Sequence, residues 1–230
     1  QEQKEFVENC LIRFEKNIAL KQNILEIGSQ DINGSIKDYF PNLNSKYWVG
    51  LDIGEGQEVD FVIPGELIQL SDGWADIIFS TECFEHAKNW KKIFLNMIRT
   101  THSESLIILT FAGLGRSAHG TIDTDLKSSQ YTNDYYKNIG LSEFDSHLEL
   151  KKYFTQYALE VNSKHGDTYF WGIRNNSYEN LEYMSNEEAL ARARGQVKKV
   201  MKKYNVTQSN LLKTSEELQQ IKEKYNIKTN

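Results

Sequence analysis

The stretch Asn23-Ile24-Leu25-Glu26-Ile27-Gly28-Ser29-Gln30-Asp31-Ile32-Asn33-Gly34 decides how this chain is read. Ile24, Leu25 and Ile27 make a short apolar run rich in β-branched residues, and Gly28 stops it abruptly. The pattern predicts a buried strand entering a tight turn. Gly34 follows one loop later, where helical spacing begins. Strand, glycine turn and helix in that order form the first β-α turn of a nucleotide-binding half-fold, where glycines let the backbone approach a ligand. A second apolar run ends in a carboxylate, Asp52.

Charge narrows the choice of ligand. A dinucleotide presents a pyrophosphate to bare amides and to the positive end of a helix dipole. This turn instead carries Asp31 between its glycines and Glu26 just before them. A phosphate would meet negative charge there, whereas a ligand with a ribose, an ammonium and a sulfonium would be attracted. Asp52 is placed to accept hydrogen bonds from ribose hydroxyls. On these residues the sequence resembles class I S-adenosylmethionine (SAM)-dependent methyltransferases, whose first motif is written E/D-x-G-x-G-x-G. Glu26, Gly28 and Gly34 fit it loosely, with Gln30 in place of the middle glycine. The run from Gly28 to Ser35 is similar to a subgroup of small bacterial methyltransferases found with glycan biosynthesis. The resemblance implies an α/β fold, a Rossmann-like seven-stranded sheet with flanking helices. It also implies SAM as cofactor and S-adenosylhomocysteine (SAH) as product, with cofactor contacts from Glu26, Gly28, Ser29, Gln30, Asp52, Ile53 and Glu82.

A chain of 230 residues is long enough for one full α/β domain plus an appendage. The net charge of -5 and pI near 5.6 argue against a nucleic-acid partner held by a broad basic surface. Cys10 and Cys83 are too few and too unpatterned for a disulfide framework or a structural zinc site, which fits a cytoplasmic location. No apolar run reaches the length of a membrane span, and the first residues lack a basic-then-apolar secretion pattern. The chain starts at Gln1 and not at Met, as a piece cut from a longer polypeptide would.

In chain order, Phe6, Val7, Leu11, Phe14 and Ile18 recur at helical spacing, which predicts an amphipathic helix from Glu2 to Leu20. A short helix after the glycine turn is ended by Pro41. Strands are expected at Tyr47 to Asp52, Val59 to Ile63, Ala75 to Ser80 and Leu106 to Phe111, alternating with helices as in a parallel sheet. After the third strand, where the resembled family usually has an Asp for the adenine, stand Pro64, Gly65 and Glu66, so Glu66 or a backbone group takes that role. The fourth strand runs into Ser80-Thr81-Glu82-Cys83-Phe84-Glu85-His86, similar to the family's S-x-E-x-x-E-H segment. Glu82 is expected to face the cofactor; Glu85 and His86 are expected to open the next helix, His86 in a structural role. Two β-prone segments, Phe154 to Val161 and Thr168 to Arg174, supply an antiparallel edge pair.

The segment from Ala112 to Tyr136 is too polar and glycine-rich for a regular element, and a loop this long is usually a lid or a binding loop. It leaves the ligand edge of the fifth strand. Methyl transfer is an in-line displacement, and a hydroxyl acceptor must lose its proton as the new bond forms. His119, with an ordinary pKa of about 6.5, is the candidate general base. Arg116 offers a fork of donors for a carboxylate or phosphate on the acceptor, or else forms a loop ion pair. Tyr131, Tyr135 and Tyr136 stack on or hydrogen-bond a sugar, or else pack a helix. Asp123 and Asp125 are read as solvated, and no metal site is assigned.

From Ser185 the pattern changes. Ser185-Asn186-Glu187-Glu188 is a capping box, and Leu190, Val197, Tyr204, Leu211, Leu218 and Tyr225 recur every seven residues. The domains are therefore expected to be 1–176, a methyltransferase domain, and 177–230, a long helix or coiled coil; two helices folded back on the first domain is the alternative. Residues 185–230 would then join copies of the chain or a partner enzyme. Two functions follow: a SAM-dependent O-methyltransferase of a sugar or glycan intermediate, or a methyltransferase-like assembly module working through its coiled coil. An NAD-dependent oxidoreductase is opposed by Asp31 and by the missing glycine.

Overall fold

In the computed structural model, which describes residues 2–16, 22–41, 43, 45–129 and 131–175, the opening apolar run forms strand β1 (Gln22–Ile27), buried at five of its six positions. Its neighbours on both sides, β2 (Ser45–Asp52) and β4 (Ala75–Thr81), run parallel to it. A strand flanked in this way and covered on both faces reads as a continuous apolar run, not an alternating one. β3 (Phe61–Val62) adds to β2, and β5 (Thr101–Ala112) adds to β4, again parallel. β6 (Phe154–Val161) and β7 (Asp167–Arg174) are antiparallel, with β7 joined to β5. The order is β3-β2-β1-β4-β5-β7-β6. It reverses between β1 and β4, and ligands of open α/β sheets bind in the crevice beyond the carboxyl ends at such a reversal. Because β7 runs backwards, its first residue, Asp167, lies at that same edge, paired with Ala112.

Alternate residues of each strand face opposite layers. On one face, α1 (Glu2–Arg13) sets Phe6, Val7, Cys10 and Leu11 against Ile24, Ile77, Ile108, Tyr169 and Trp171. Phe6 stacks on Tyr169 with ring centroids 4.6 Å apart. On the other face, α3 (Trp90–Thr100) and α4 (Leu141–Leu148) enclose Phe144. That ring meets Phe84, Trp90, Phe94, Phe111 and Phe170 at centroid distances of 5.0 to 6.4 Å. α2 (Ile36–Tyr39) is a single turn capped by the Ser35 side chain, which accepts from the Lys37 amide.

The sheet is the one expected; several boundaries are not. α1 ends at Arg13 because Glu15 bonds to the Ile12 carbonyl, the tighter pattern that unwinds a helix end. Residues 17–21 lie outside the described part. β3 shrinks to two residues, because Asp60 turns its carboxylate onto the Gly50 amide at 2.9 Å. β5 extends back to Thr101. Glu85 and His86 form one 3-10 turn with Phe84, and extended backbone at Ala87 separates that turn from α3. α4 had no counterpart in the sequence reading. The expected coiled coil over 185–230 lies outside the described residues. Among those described, no helix is long and apolar enough to cross a membrane.

Candidate active site

β1 delivers the glycine turn to the reversal. Gly28 has φ of +78°, and a Cβ there would stand 2.7 Å from the Cys83 Cβ, so only glycine lets the turn pass this close. The amides of Gly28 and Ser29 donate to the Leu51 carbonyl at 2.8 and 3.0 Å, and Asp31 donates to Gln57 at 3.1 Å. Gln30 donates to Asp52 Oδ2 at 3.2 Å and Gly34 to Asp31 Oδ1 at 2.7 Å. The amides that a pyrophosphate would require bare are thus bonded within the chain. Asp52 also accepts from the Gly54 amide through Oδ1 at 3.0 Å, and each oxygen keeps a further lone pair for a hydroxyl. Burial raises the Asp52 pKa against the pull of these amides. Glu26 lies beneath the turn, 4% exposed, accepting from the Trp48 ring N–H at 2.9 Å. Burial lifts its pKa to about 7.

β4 delivers the acids. Glu82 follows it with φ of 50°, a left-handed conformation rare outside glycine and concentrated where function holds the backbone under strain. Its amide bonds to the Thr110 carbonyl at 2.8 Å and its Oε1 accepts from the Thr110 hydroxyl at 3.1 Å. Oε2 is buried without a hydrogen bond. Glu85 is 0% exposed and neither of its oxygens has a hydrogen bond. Burial first and Glu82 second hold its pKa well above the carboxylate range, which the nearby amides of Glu85 and Ala112 only partly offset. Glu82 is lifted to about 7 by burial and then by Asp167, against Thr110 and Arg116. Asp167, also buried, faces the Arg116 Nε at 3.4 Å.

The connection after β5 brings His119 to these acids, with Nε2 3.7 Å from Glu85 Oε1. Its Nδ1 stands 3.4 Å from the Ser117 carbonyl and 3.3 Å from the Tyr136 hydroxyl. Gly120 has φ of +62°, and a Cβ there would come within 2.8 Å of the His86 ring, so glycine at this place lets the loop close on His86. The rings of His86, His119 and Tyr136 meet edge-on at 5.1 to 5.2 Å. His86 Nε2 is 3.3 Å from the Ser129 hydroxyl, and Nδ1 is buried without a hydrogen bond. Burial, then the neighbouring His119, lowers the His86 pKa to about 4; burial also lowers that of His119. Both rings are therefore neutral near pH 7, with a lone pair to offer. One ligand-type atom from each of Glu85, His86 and His119 lies within 4.8 Å of the other two. Gly115 to His119, Lys164 and His165 line a cavity of about 390 Å³ beside them.

No protein-family model matches the sequence, and no curated protein matches it. Solved structures do resemble it in three dimensions. The CurJ carbon methyltransferase superposes with a TM-score of 0.56 at 14% identity, over 75% of this chain and 54% of that one. A SAM-dependent methyltransferase from Archaeoglobus fulgidus gives 0.52 at 13% identity, over 74% and 94%. Haemonchus contortus phosphoethanolamine N-methyltransferase 2, in complex with phosphomonomethylethanolamine and S-adenosylhomocysteine, gives 0.52 at 14%, over 73% and 53%. The chain has the class I methyltransferase fold. It spans about half the length of the Haemonchus enzyme.

Within this methyltransferase fold the expected residues divide between two places. Gly28, Ser29, Gln30, Asp52 and Ile53 gather beyond β1 and β2, where the Gln30 side chain donates to the Glu55 carbonyl at 3.0 Å. Ile53 is exposed there. Glu82, Arg116, His119 and Tyr136 gather beyond β4 and β5. Three of the expected residues are already engaged or lie apart from the rest. Glu26 sits under the turn and not on its open face, because Trp48 and burial hold it. Tyr131 is not beside His119: its ring covers Gly54 so closely that a Cβ there would overlap it. Arg116 already faces Asp167 through Nε. Glu66 accepts from the Asn89 side chain at 2.7 Å, and the ring contacts around His119 come from Tyr136, not from Tyr135. Asp125 accepts from the Lys127 amide at 3.2 Å within its own loop. Glu85 was expected only to open a helix, and Asp167 was not singled out from the sequence. Each carried a signal: an acid one turn after Glu82, and an acid opening an antiparallel strand behind Gly166.

Proposed function

We propose that the protein is a SAM-dependent methyltransferase that methylates an oxygen of a small acceptor, a sugar or glycan intermediate bearing an anionic group. The observation that carries this reading is the state of the turn after β1: its amides are bonded within the chain, while Asp52 keeps acceptor capacity at the crevice. The residues fit SAM better than a pyrophosphate. Ser29 Oγ, Ser80 Oγ and Glu82 Oε2 are buried there without hydrogen bonds, which suits a ligand rich in hydroxyl and ammonium donors. Asp52 would accept from the ribose, Ile53 would lie along the adenine and Glu82 would accept from the ligand's donors. Bound SAM would supply an electrophilic methyl carbon on a sulfonium.

The chain's own part is to place and deprotonate the acceptor. The cavity beside His119 is lined by Arg116, which faces Asp167, and by Lys164 and His165, which share Glu2, so an anionic acceptor would bind there by taking over these cations from their carboxylates. The Ser117 carbonyl favours the tautomer with hydrogen on Nδ1, leaving the Nε2 lone pair of His119 open. Nε2 would take the acceptor hydroxyl's proton as that oxygen receives the methyl group that bound SAM supplies. A labelled-methyl screen of the full chain against nucleotide sugars and acidic oligosaccharides tests the reading. Label transfer to an acidic sugar supports it; SAM binding without transfer to any acceptor favours the assembly module.

A further inference from the structure

Three side chains that the fold brings to one point offer more than a base. Glu85 contributes a fully buried carboxylate with no hydrogen bond to either oxygen, and His86 contributes a buried nitrogen in the same state. His119 closes the set from the loop after β5, its Nε2 already 3.7 Å from Glu85 Oε1. All three ligand-type atoms lie within 4.8 Å of one another. A first-row ion with bonds of about 2.1 Å holds its ligands roughly 3 to 4 Å apart, so small side-chain rotations close this set. The orphaned oxygens add weight. A buried carboxylate without donors is costly to keep, and Glu82 places a second one close by. A divalent cation ligated by Glu85 satisfies that carboxylate.

We propose that Glu85, His86 and His119 hold one divalent first-row metal ion of the Mn²⁺ to Zn²⁺ series, with open coordination positions toward the basic cavity. Two imidazoles among three donors select that series over Mg²⁺ or Ca²⁺, which prefer all-oxygen sets. The Ser117 carbonyl beside His119 Nδ1 is the outer partner that keeps Nε2 available to a metal. The inference deepens the methyltransferase reading and rests on it only for the ion's role. With the ion bound, His119 is a ligand, and an acceptor hydroxyl loses its proton to water on coordinating the metal.

The test uses the full chain, stripped with a chelator and titrated with Mn²⁺, Zn²⁺ and Mg²⁺ by calorimetry, with bound metal counted by elemental analysis. One Mn²⁺ or Zn²⁺ per chain is expected, with Mg²⁺ much weaker. Affinity should fall at least about 10-fold in His119→Ala and in Glu85→Gln, and stay unchanged in Asp123→Asn. Circular dichroism checks that each variant is folded. His119 is partly exposed, so its variant remains informative if Glu85→Gln unfolds. No binding, or binding that His119→Ala leaves intact, overturns the proposal. SAM titrated into the same stripped protein separates the two readings: SAM bound without metal binding sinks the ion alone, and metal bound without SAM binding sinks the methyltransferase reading and keeps the ion.

Discussion

Gly28 turns with φ of +78° against Cys83, so Gly28→Ala both strains the backbone and drives a Cβ into β4's loop. A loss of about 2 kcal/mol is expected, read as a melting temperature lower by roughly 4–8 °C. Glu26 makes a pH-dependent claim. Its folded pKa of about 7 exceeds the ordinary 4.5, so between those values the folded chain keeps a proton that the unfolded chain has released. Its contribution is thus fully present below about pH 4.5, declines as pH rises and levels off above about 7. Trp48 and Lys37 partly offset the burial, and Glu58 reinforces it. Glu26→Gln should gain on the parent by up to roughly 3 kcal/mol as denaturant titrations move from about pH 4.5 to 8; a constant gap would show an ordinary carboxyl. His119→Ala should leave SAM affinity nearly unchanged and cut turnover by about 100-fold or more. Unchanged turnover on the true acceptor would remove His119 from the chemistry. Asp52 and His119 could be singled out as candidates because each follows a recognisable apolar run. Glu85 could not, because its isolation from donors exists only once β4, β5 and β7 are packed.

The connection between β5 and α4 reaches both halves of the crevice: His119 meets Glu85, and Tyr131 covers Gly54 beside Asp52. Tyr131→Ala is expected to weaken SAM binding by about 10-fold by uncovering that loop; unaltered affinity would make the ring a bystander. Phe144 of α4 stands among five aromatic rings, and Phe144→Ala should cost about 3–5 kcal/mol in denaturant titrations. Strands β1, β2, β4 and β5 could be read because burial on both faces writes a continuous apolar run. α4 could have been read from Leu141, Phe144 and Leu148, whose spacing is helical, but its eight residues give too short a period to stand out from a polar connection. The one-turn break at Phe84–His86 was hidden for a related reason: the glutamate and histidine suit a helix start, and only the extended backbone at Ala87 interrupts it.

For the whole molecule, the sheet order follows from alternating strands and helices, whereas the meeting of Glu85, His119 and Asp167 depends on β7 running antiparallel. Periodicity reports a strand but not the edge at which it begins. The seven-residue repeat from Leu190 to Tyr225 is the basis for proposing self-association through residues 185–230. Light scattering should find the full chain oligomeric and a chain ending at 176 monomeric; a monomeric full chain would refute the coiled coil. The central claim is that the crevice takes a sulfonium cofactor and not a pyrophosphate. It is tested most directly by titrating the full chain with SAM and with NADH in parallel calorimetry. SAM should bind, at least about 10-fold more weakly in Asp52→Ala, and NADH should not. NADH binding with no heat from SAM would contradict the account.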